Sequence, residues 1–456
     1  MKRIALFLLT ITMFVACKDT PIGLLVEETE EEKRILDSLI VTAPNFVRQT
    51  PPTGFVTTNG TRFEIDGNPY NFVGTNFWYG PQLGLTQNRS RLLAELDSFQ
   101  ALGINNLRIM VASEGPLTEP FRVQPPMMPT PNQYSTDMLE GLDFLLSEMA
   151  NRNIYGVMVL GNFWHWSGGF SQYVAWANQD TSIPYPTFEG GPSWQTFMDY
   201  TYNFYINPTA RSYYSNFVQA VVSRQNSITG KLYKEDPTIM SWQLCNEPKS
   251  GNRTLAYRIW MFETARQIRQ LDPYHLISTG SEGFRSEYPL SDKTDNYIRN
   301  HSYYMDYLTV HIWVQNWGWY DPMDQNSLSS AIQRAKDYLE PHIDVARQLN
   351  KPVVLEEFGI SRDYENYDAT SPTTQRDAYY QAIFEHVDNN IQAGTPLQGS
   401  NFWAWGGIGR PRTPKAVWQT GDDYIGDPAH EYQGWYSVYN TDASTHAIIR
   451  SFNAKY

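Results

Sequence analysis

The sequence predicts a (β/α)8 TIM barrel, an α/β fold. Two observations point to it. From about residue 60 onward, short β-type apolar runs alternate with amphipathic helical stretches, and there are eight such runs. The 456-residue chain also has the length of one large decorated α/β domain, not of a small sandwich. The competing architecture is an open doubly wound sheet. Against it, no Gly-x-Gly-x-x-Gly follows the first run and no P-loop sequence occurs.

Met1-Lys2-Arg3 followed by apolar Ile4 to Ala16 reads as a signal peptide, residues 1–16, too short to stay in a bilayer as a spanning helix. The stretch Phe14-Val15-Ala16-Cys17 resembles the lipobox of bacterial lipoproteins. That resemblance implies cleavage before Cys17, lipidation of its thiol and new amino terminus, and an exported, membrane-anchored lipoprotein at the cell surface or in the periplasm. The competing reading is an ordinary signal peptide with an incidental cysteine. Residues 17–53 are acidic at Glu27, Glu28, Glu30, Glu31 and Glu32 and Pro-rich around Pro51-Pro52. They read as a lipid-anchored tether with room for one helix. With Cys17 lipidated, Cys245 is the only other thiol, so no intrachain disulfide forms. Its apolar setting marks it as a small buried hydrophobe.

Residues 54–456 read as the barrel domain. The strands are expected at 71–77, 106–111, 155–163, 239–247, 276–282, 308–314, 353–359 and 400–405. Helices are expected at 89–102, 137–151, 212–225, 254–271, 329–349 and 374–392, with only a short one near 297–304 after the fifth strand. Composition narrows the function. A formal charge of −13 and a pI near 5.1 leave no basic footprint for nucleic acid. The 14 Trp, 30 Tyr and 22 Phe build either a large aromatic core or faces on which sugar C–H groups pack.

In a barrel the chemistry sits at the C-terminal ends of the strands. Strand four ends Trp242-Gln243-Leu244-Cys245-Asn246-Glu247-Pro248, and strand seven ends Val353-Val354-Leu355-Glu356-Glu357-Phe358-Gly359. Ending an apolar run on an ionisable group is costly unless the group faces a cleft. Carboxyls on strands four and seven face each other across the mouth, the pair that glycosidic cleavage requires. Side-chain alternation turns Glu356 the other way, into the barrel wall. No His-Glu-x-x-His or Gly-x-Ser-x-Gly sequence occurs, and no two His have helical ligand spacing, so no metal or cofactor is called for.

From about Gly54 to the C-terminus the chain resembles the retaining β-glycanases of glycoside hydrolase family 5, more narrowly their β-mannanase branch, the mannan endo-1,4-β-mannosidases. The resemblance rests on Gly74-Thr75-Asn76-Phe77-Trp78-Tyr79, Leu107-Arg108-Ile109, Asn162-Phe163-Trp164-His165-Trp166-Ser167-Gly168-Gly169 with Gln172-Tyr173, Gly280-Ser281-Glu282, Thr309-Val310-His311-Ile312-Trp313 and Phe402-Trp403-Ala404-Trp405. It implies Glu247 as acid/base and Glu357 as nucleophile. Arg108 would hold Glu357 ionised, Asn246 would bond the sugar 2-hydroxyl, and His311 would support the acid/base. Trp313 stands where many relatives carry Tyr; its indole donates to a carboxylate but neither accepts nor titrates. Trp403 would floor the site, and Trp78, Trp164, His165 and Trp166 would wall it. The implied activity is double-displacement cleavage of internal bonds in mannan, glucomannan or galactomannan. The alternatives are a β-1,4-glucanase, an exo-β-mannosidase and a non-catalytic glycan-binding lipoprotein.

Overall fold

The computed structural model describes residues 29–186 and 191–456; the signal peptide and Cys17 lie outside them. Eight parallel strands form the barrel: Phe72–Asn76, Asn106–Met110, Tyr155–Val159, Ile239–Gln243, Leu276–Ser278, Leu308–Ile312, Val353–Phe358 and Leu397–Phe402. They pair in the order five-four-three-two-one-eight-seven-six. Strands five and six meet through isolated bonds, Asp306 N–H to Ile277 O (2.8 Å) and His311 N–H to Glu282 O (3.1 Å). Every residue of strand seven is buried, which is why the strands read as continuous apolar runs and not as alternating ones.

The helices follow local signals. Arg89–Leu102 stops at Gly103, whose φ of 72° is the left-handed turn a helix end needs. Thr136–Ala150 starts on Ser135, which accepts from Met138 N–H. Pro208–Val222 combines an Asn207 cap with proline in the first turn. The fourth strand stops at Gln243 and the fifth at Ser278, short of the expected 247 and 282, because the backbone turns out of the ladder toward the mouth.

Helices Gly169–Asn178 and Trp194–Thr201 after strand three add to the expected set, as does Ala443–Asn453 at the C-terminus. The last pins strand one: Asn453 accepts from Val73 N–H and donates to Val73 O, both at 3.0 Å. A three-stranded antiparallel sheet, Val56–Asn59, Arg62–Ile65 and Asn68–Pro69, precedes the barrel. Asp66 and Gly67, at φ 51° and 80°, make its second turn. Its Phe63 packs with Phe72, Tyr307 and Val354 against the barrel strands, closing the end opposite the mouth.

The expected tether over 17–53 needs correction within the described residues. Glu30–Thr42 is a helix with a Thr29–Glu32 capping box, and it buries Leu36 and Leu39 against helix Thr254–Leu271. Tyr304 donates to Leu39 O at 2.7 Å. Amphipathic spacing within the acidic run docks it, so among the described residues those before 54 also pack on the barrel domain. Among the described residues, no helix is long and apolar enough to cross a membrane.

Candidate active site

Strand seven departs from simple alternation. Leu355 pairs with Val310 and Glu357 with His311 on strand six, leaving Glu356 as an extra residue. This bulge turns both glutamates inward. Glu356 is therefore not in the wall: it accepts from Gln243 Nε2 at 2.8 and 3.0 Å and lies 3.5 Å from Arg108 Nε. Above it, Glu357 pairs with Arg108 Nη1.

Arg108, from the middle of strand two, organises the floor. Its Nε donates to Gln243 Oε1 (2.8 Å), Nη1 also to Asn76 Oδ1 (3.1 Å), and Nη2 to Asn246 Oδ1 (2.8 Å). Asn246 in turn donates one amide hydrogen to Asn162 Oδ1 (3.1 Å). A planar fork with several fixed donors suits this junction better than a lysine would.

Glu247 sits in the left-handed region, φ 47°, a strained conformation for a non-glycine residue. Its N–H is held by Gly280 O at 2.9 Å. Three groups grip its carboxylate: His311 Nδ1 at 2.7 Å, Trp164 Nε1 at 2.7 Å and Trp313 Nε1 at 3.3 Å. His311 Nδ1 is also 3.3 Å from Glu357 Oε2. One ligand-type atom each from Glu247, His311 and Glu357 lies within 4.8 Å of the others, so the two carboxyls are close neighbours. That spacing could hold a cation, but Arg108 already supplies positive charge there.

Rings line the mouth. Trp403 lies 5.8 Å from Trp313 and 6.4 Å from Trp166, which is 5.3 Å from Trp78. The Trp78 indole donates to Gly426 O at 2.9 Å, tying it to the loop after strand eight. Residues 53–456 match the family described as "GH family 5 beta-mannosidase-like". The chain belongs to glycoside hydrolase family 5.

Solved and curated relatives agree with this family 5 assignment. The crystal structure of a family 5 mannosidase from Rhizomucor miehei is 40% identical, covers 88% of this chain and 97% of its own, and superposes with a TM-score of 0.81. Mannan endo-1,4-beta-mannosidase 4 of Solanum lycopersicum is 30% identical over 367 residues, 76% of this chain and 82% of that protein. Mannan endo-1,4-beta-mannosidase 1 of Arabidopsis thaliana is 29% identical over 368 residues, 77% and 82% respectively. The protein is thus a glycoside hydrolase on a (β/α)8 barrel.

Charge in this family 5 site is shared among three groups. Burial opposes the charge on His311, but the carboxylates of Glu357, Glu247 and Glu356 outweigh it and raise the ring to about 9. Burial also works on Glu247, yet the His311 bond and charge, with Lys249 and Trp164, hold it down at about 2. Burial lifts Glu357 to about 7 against the pull of His311 and Arg108. One proton therefore rests on His311 between two carboxylates, and the set titrates as a unit.

By direct bonds the structure joins Glu247, Glu357, Arg108, Asn246, His311, Trp313 and Trp164, and by ring contact Trp403, Trp166 and Trp78. His165 stands apart: fully buried, it packs on Tyr185, Trp194, Phe197 and His430. Cys245 is buried, and burial pushes its thiol up, away from a nucleophile's range. Sequence reasoning misplaced Glu356 in the wall and missed Gln243. It also missed the Lys249–Glu282 ion pair beside Trp164, although all four stand in strand-end segments.

Proposed function

We propose that the protein hydrolyses β-1,4-mannosidic bonds of mannan-type chains with net retention, Glu357 as nucleophile and Glu247 as acid/base. The observation that carries this is the closeness of the two carboxyls, with atoms of both within 4.8 Å. Double displacement needs a separation of about 5–5.5 Å, whereas inversion needs roughly 6.5–9.5 Å to fit a water. Glu357 Oε attacks the anomeric carbon as the glycosidic oxygen takes a proton from Glu247. That proton reaches Glu247 from His311 along the 2.7 Å Nδ1–Oε1 contact. His311 is then neutral, and Arg108 stays paired with the ionised form of Glu357 until it bonds. In the second half Glu247 takes a proton from water, which attacks the same carbon from the vacated side.

Asn246 has one amide hydrogen beyond its bond to Asn162, available to the sugar 2-hydroxyl. Selection of mannose over glucose follows from its axial 2-hydroxyl, since a site bonded to that group leaves polar atoms unpaired with the other epimer. The names of the plant relatives support mannan as the polymer.

Sequence alone leads to internal cleavage. A second reading, attack at chain ends, is favoured by loops that meet over one side of the mouth, where Tyr424 donates to Gln124 O at 2.7 Å and the His165 and His430 rings approach to 5.0 Å. The test is a time course of products from mannan, glucomannan and carboxymethyl cellulose, with NMR of the first anomer released. β-Mannose or β-linked mannooligosaccharides are expected. Equal or faster cellulose cleavage, or an α-anomer, overturns the reading. We also infer an exported protein anchored through a lipidated Cys17, a reading that rests on the sequence of its first seventeen residues.

A further inference from the structure

The bulge on strand seven brings a second buried carboxylate to the ring that serves the acid/base. Pairing with strand six runs to Leu355, skips Glu356 and resumes at Glu357. Three groups hold Glu356. It accepts from Gln243 Nε2 at 2.8 and 3.0 Å and from the Tyr307 hydroxyl at 3.4 Å, and Arg108 Nε stands 3.5 Å away. Tyr307 is itself hydrogen-bonded to Ser241 Oγ at 2.9 Å. Fixed in this way, Glu356 presents Oε2 to Nε2 of His311 at 3.8 Å.

The ring needs a partner on that side. Nδ1 of His311 is 2.7 Å from Glu247 Oε1 and 3.3 Å from Glu357 Oε2. Nε2 is buried and, among the described residues, makes no hydrogen bond, although buried polar groups nearly always do. Catalytic hydrogen bonds are often long before substrate arrives and tighten with it. An imidazolium carries hydrogen on both nitrogens and a neutral ring on only one, chosen by the bond the other makes. With that hydrogen on Nε2, Nδ1 is free to give a proton to Glu247 and take it back. With it on Nδ1, the neutral ring only donates a hydrogen bond to the Glu247 carboxylate and has no proton to release.

We propose that Glu356 is a positioning residue for the reaction: facing Nε2, it holds a hydrogen there and makes Nδ1 the end of His311 that exchanges a proton with Glu247. This rests on the β-mannoside hydrolysis proposed above, with Glu247 as acid/base. In the first half the N–H bond at Nδ1 breaks, an O–H bond forms on Glu247, and that proton passes to the glycosidic oxygen. The oxygen keeps the electron pair of its bond to the sugar, and Glu357 supplies a new pair to the anomeric carbon. In the second half Glu247 takes a proton from the attacking water and returns it to Nδ1, as the bond to Glu357 breaks. Glu356 stays ionised throughout and keeps the Nε2 hydrogen facing it.

The charged and titratable groups around the ring are Glu247, Glu356 and Glu357, with Arg108 on the two strand-seven carboxylates, Tyr307 on Glu356, and Lys249 acting on Glu247. Glu356→Gln removes the charge at Nε2 and keeps the shape. In a pH profile of kcat/KM on mannopentaose, its alkaline limb is expected about 1 to 2 pH units below the wild-type limb, the shift that loss of one neighbouring carboxylate gives a histidine. At pH 9 that is a loss of about 5- to 50-fold. On a dinitrophenyl β-mannoside, whose leaving group needs no proton, the loss should stay below about 3-fold. Glu356→Asp keeps the charge and should hold the limb within about half a unit of wild type. Nitrogen-15 NMR of histidine-labelled wild-type protein decides the case in which the variants fail to fold. Above the alkaline limb, the neutral ring whose signals His311→Asn lacks is expected to carry its hydrogen on Nε2. The proposal is overturned if that hydrogen sits on Nδ1, or if Glu356→Gln leaves the limb in place. It also fails if both substrates lose equally, or if Glu356→Asp moves the limb as far as Glu356→Gln. A wild-type enzyme that cleaves no β-mannoside at all would sink the parent reading instead.

Discussion

Glu247→Ala separates the two halves of the mechanism. The variant removes the proton donor and leaves Glu357 with Arg108. Positioned acid–base catalysis contributes about 10²- to 10⁴-fold, or roughly 3–5 kcal/mol of barrier, and a sugar leaving group forfeits all of it. A dinitrophenol departs without help, so the first step on a dinitrophenyl β-mannoside should survive and the glycosyl-enzyme should accumulate. The structure adds a detail. His311 Nδ1, Trp164 Nε1 and Trp313 Nε1, which stood 2.7, 2.7 and 3.3 Å from the lost carboxylate, converge on the vacated space. A small anion should lodge there, beside the covalent intermediate. Azide, needing no general base, is therefore expected to restore turnover on the aryl substrate and to give a β-mannosyl azide identified by NMR. An α-mannosyl azide would refute the double displacement. A loss equally large on mannan and on the aryl mannoside would refute the assignment of Glu247.

The pH profile should be bell-shaped. Glu357 must be ionised, so kcat/KM is expected to fall as pH drops through about 7, and to fall again as the shared proton leaves His311 near 9; His311→Asn should abolish the alkaline limb of whatever activity survives. The same raised His311 value contributes stability that is complete below its unfolded value near 6.5 and lost as pH rises through about 9, measurable by denaturant midpoints across that range. Far from the site, Arg362 Nη2 bonds both Asp442 oxygens at 2.6 and 2.8 Å and Arg376 adds a third bond at 2.6 Å, all buried. Asp442→Ala strands two guanidiniums and should cost about 3–5 kcal/mol in chemical denaturation. Cys17→Ala should move the protein from the detergent phase to the aqueous phase in a two-phase partition, and a wild-type chain found wholly in the aqueous phase would refute the anchor.

Strand ends were the most legible part of the sequence. An apolar run that stops on Asn246-Glu247 or Glu356-Glu357 announces a cleft, because burying a carboxylate is otherwise too costly. The bulge at Glu356 was not legible, since register is a property of two strands and the partner, Val310 to His311, lies over forty residues away in the chain. The packing of His430 on His165 was equally hidden, since His430 stands in a loop without periodicity and only the fold brings it to the loop of His165. Trp164 fell between these cases: its place beside a family motif was visible, its bond to Glu247 was not.

Consecutive inward glutamates on strand seven have a consequence for protein engineering. Removing one partner of a buried ion pair leaves an uncompensated buried charge, which is strongly destabilising. Here Arg108 also stands 3.5 Å from Glu356 and bonds Gln243, Asn76 and Asn246, contacts that do not involve Glu357 and should outlast its replacement by Gly or Ala. The spare carboxylate acts as a built-in counterion. It lies on Gln243 beside Arg108, where it balances the guanidinium without standing in as the attacking group. A chain without its nucleophile should therefore keep its shape and its grip on mannosides, which suits it to making glycosidic bonds from activated α-mannosyl donors.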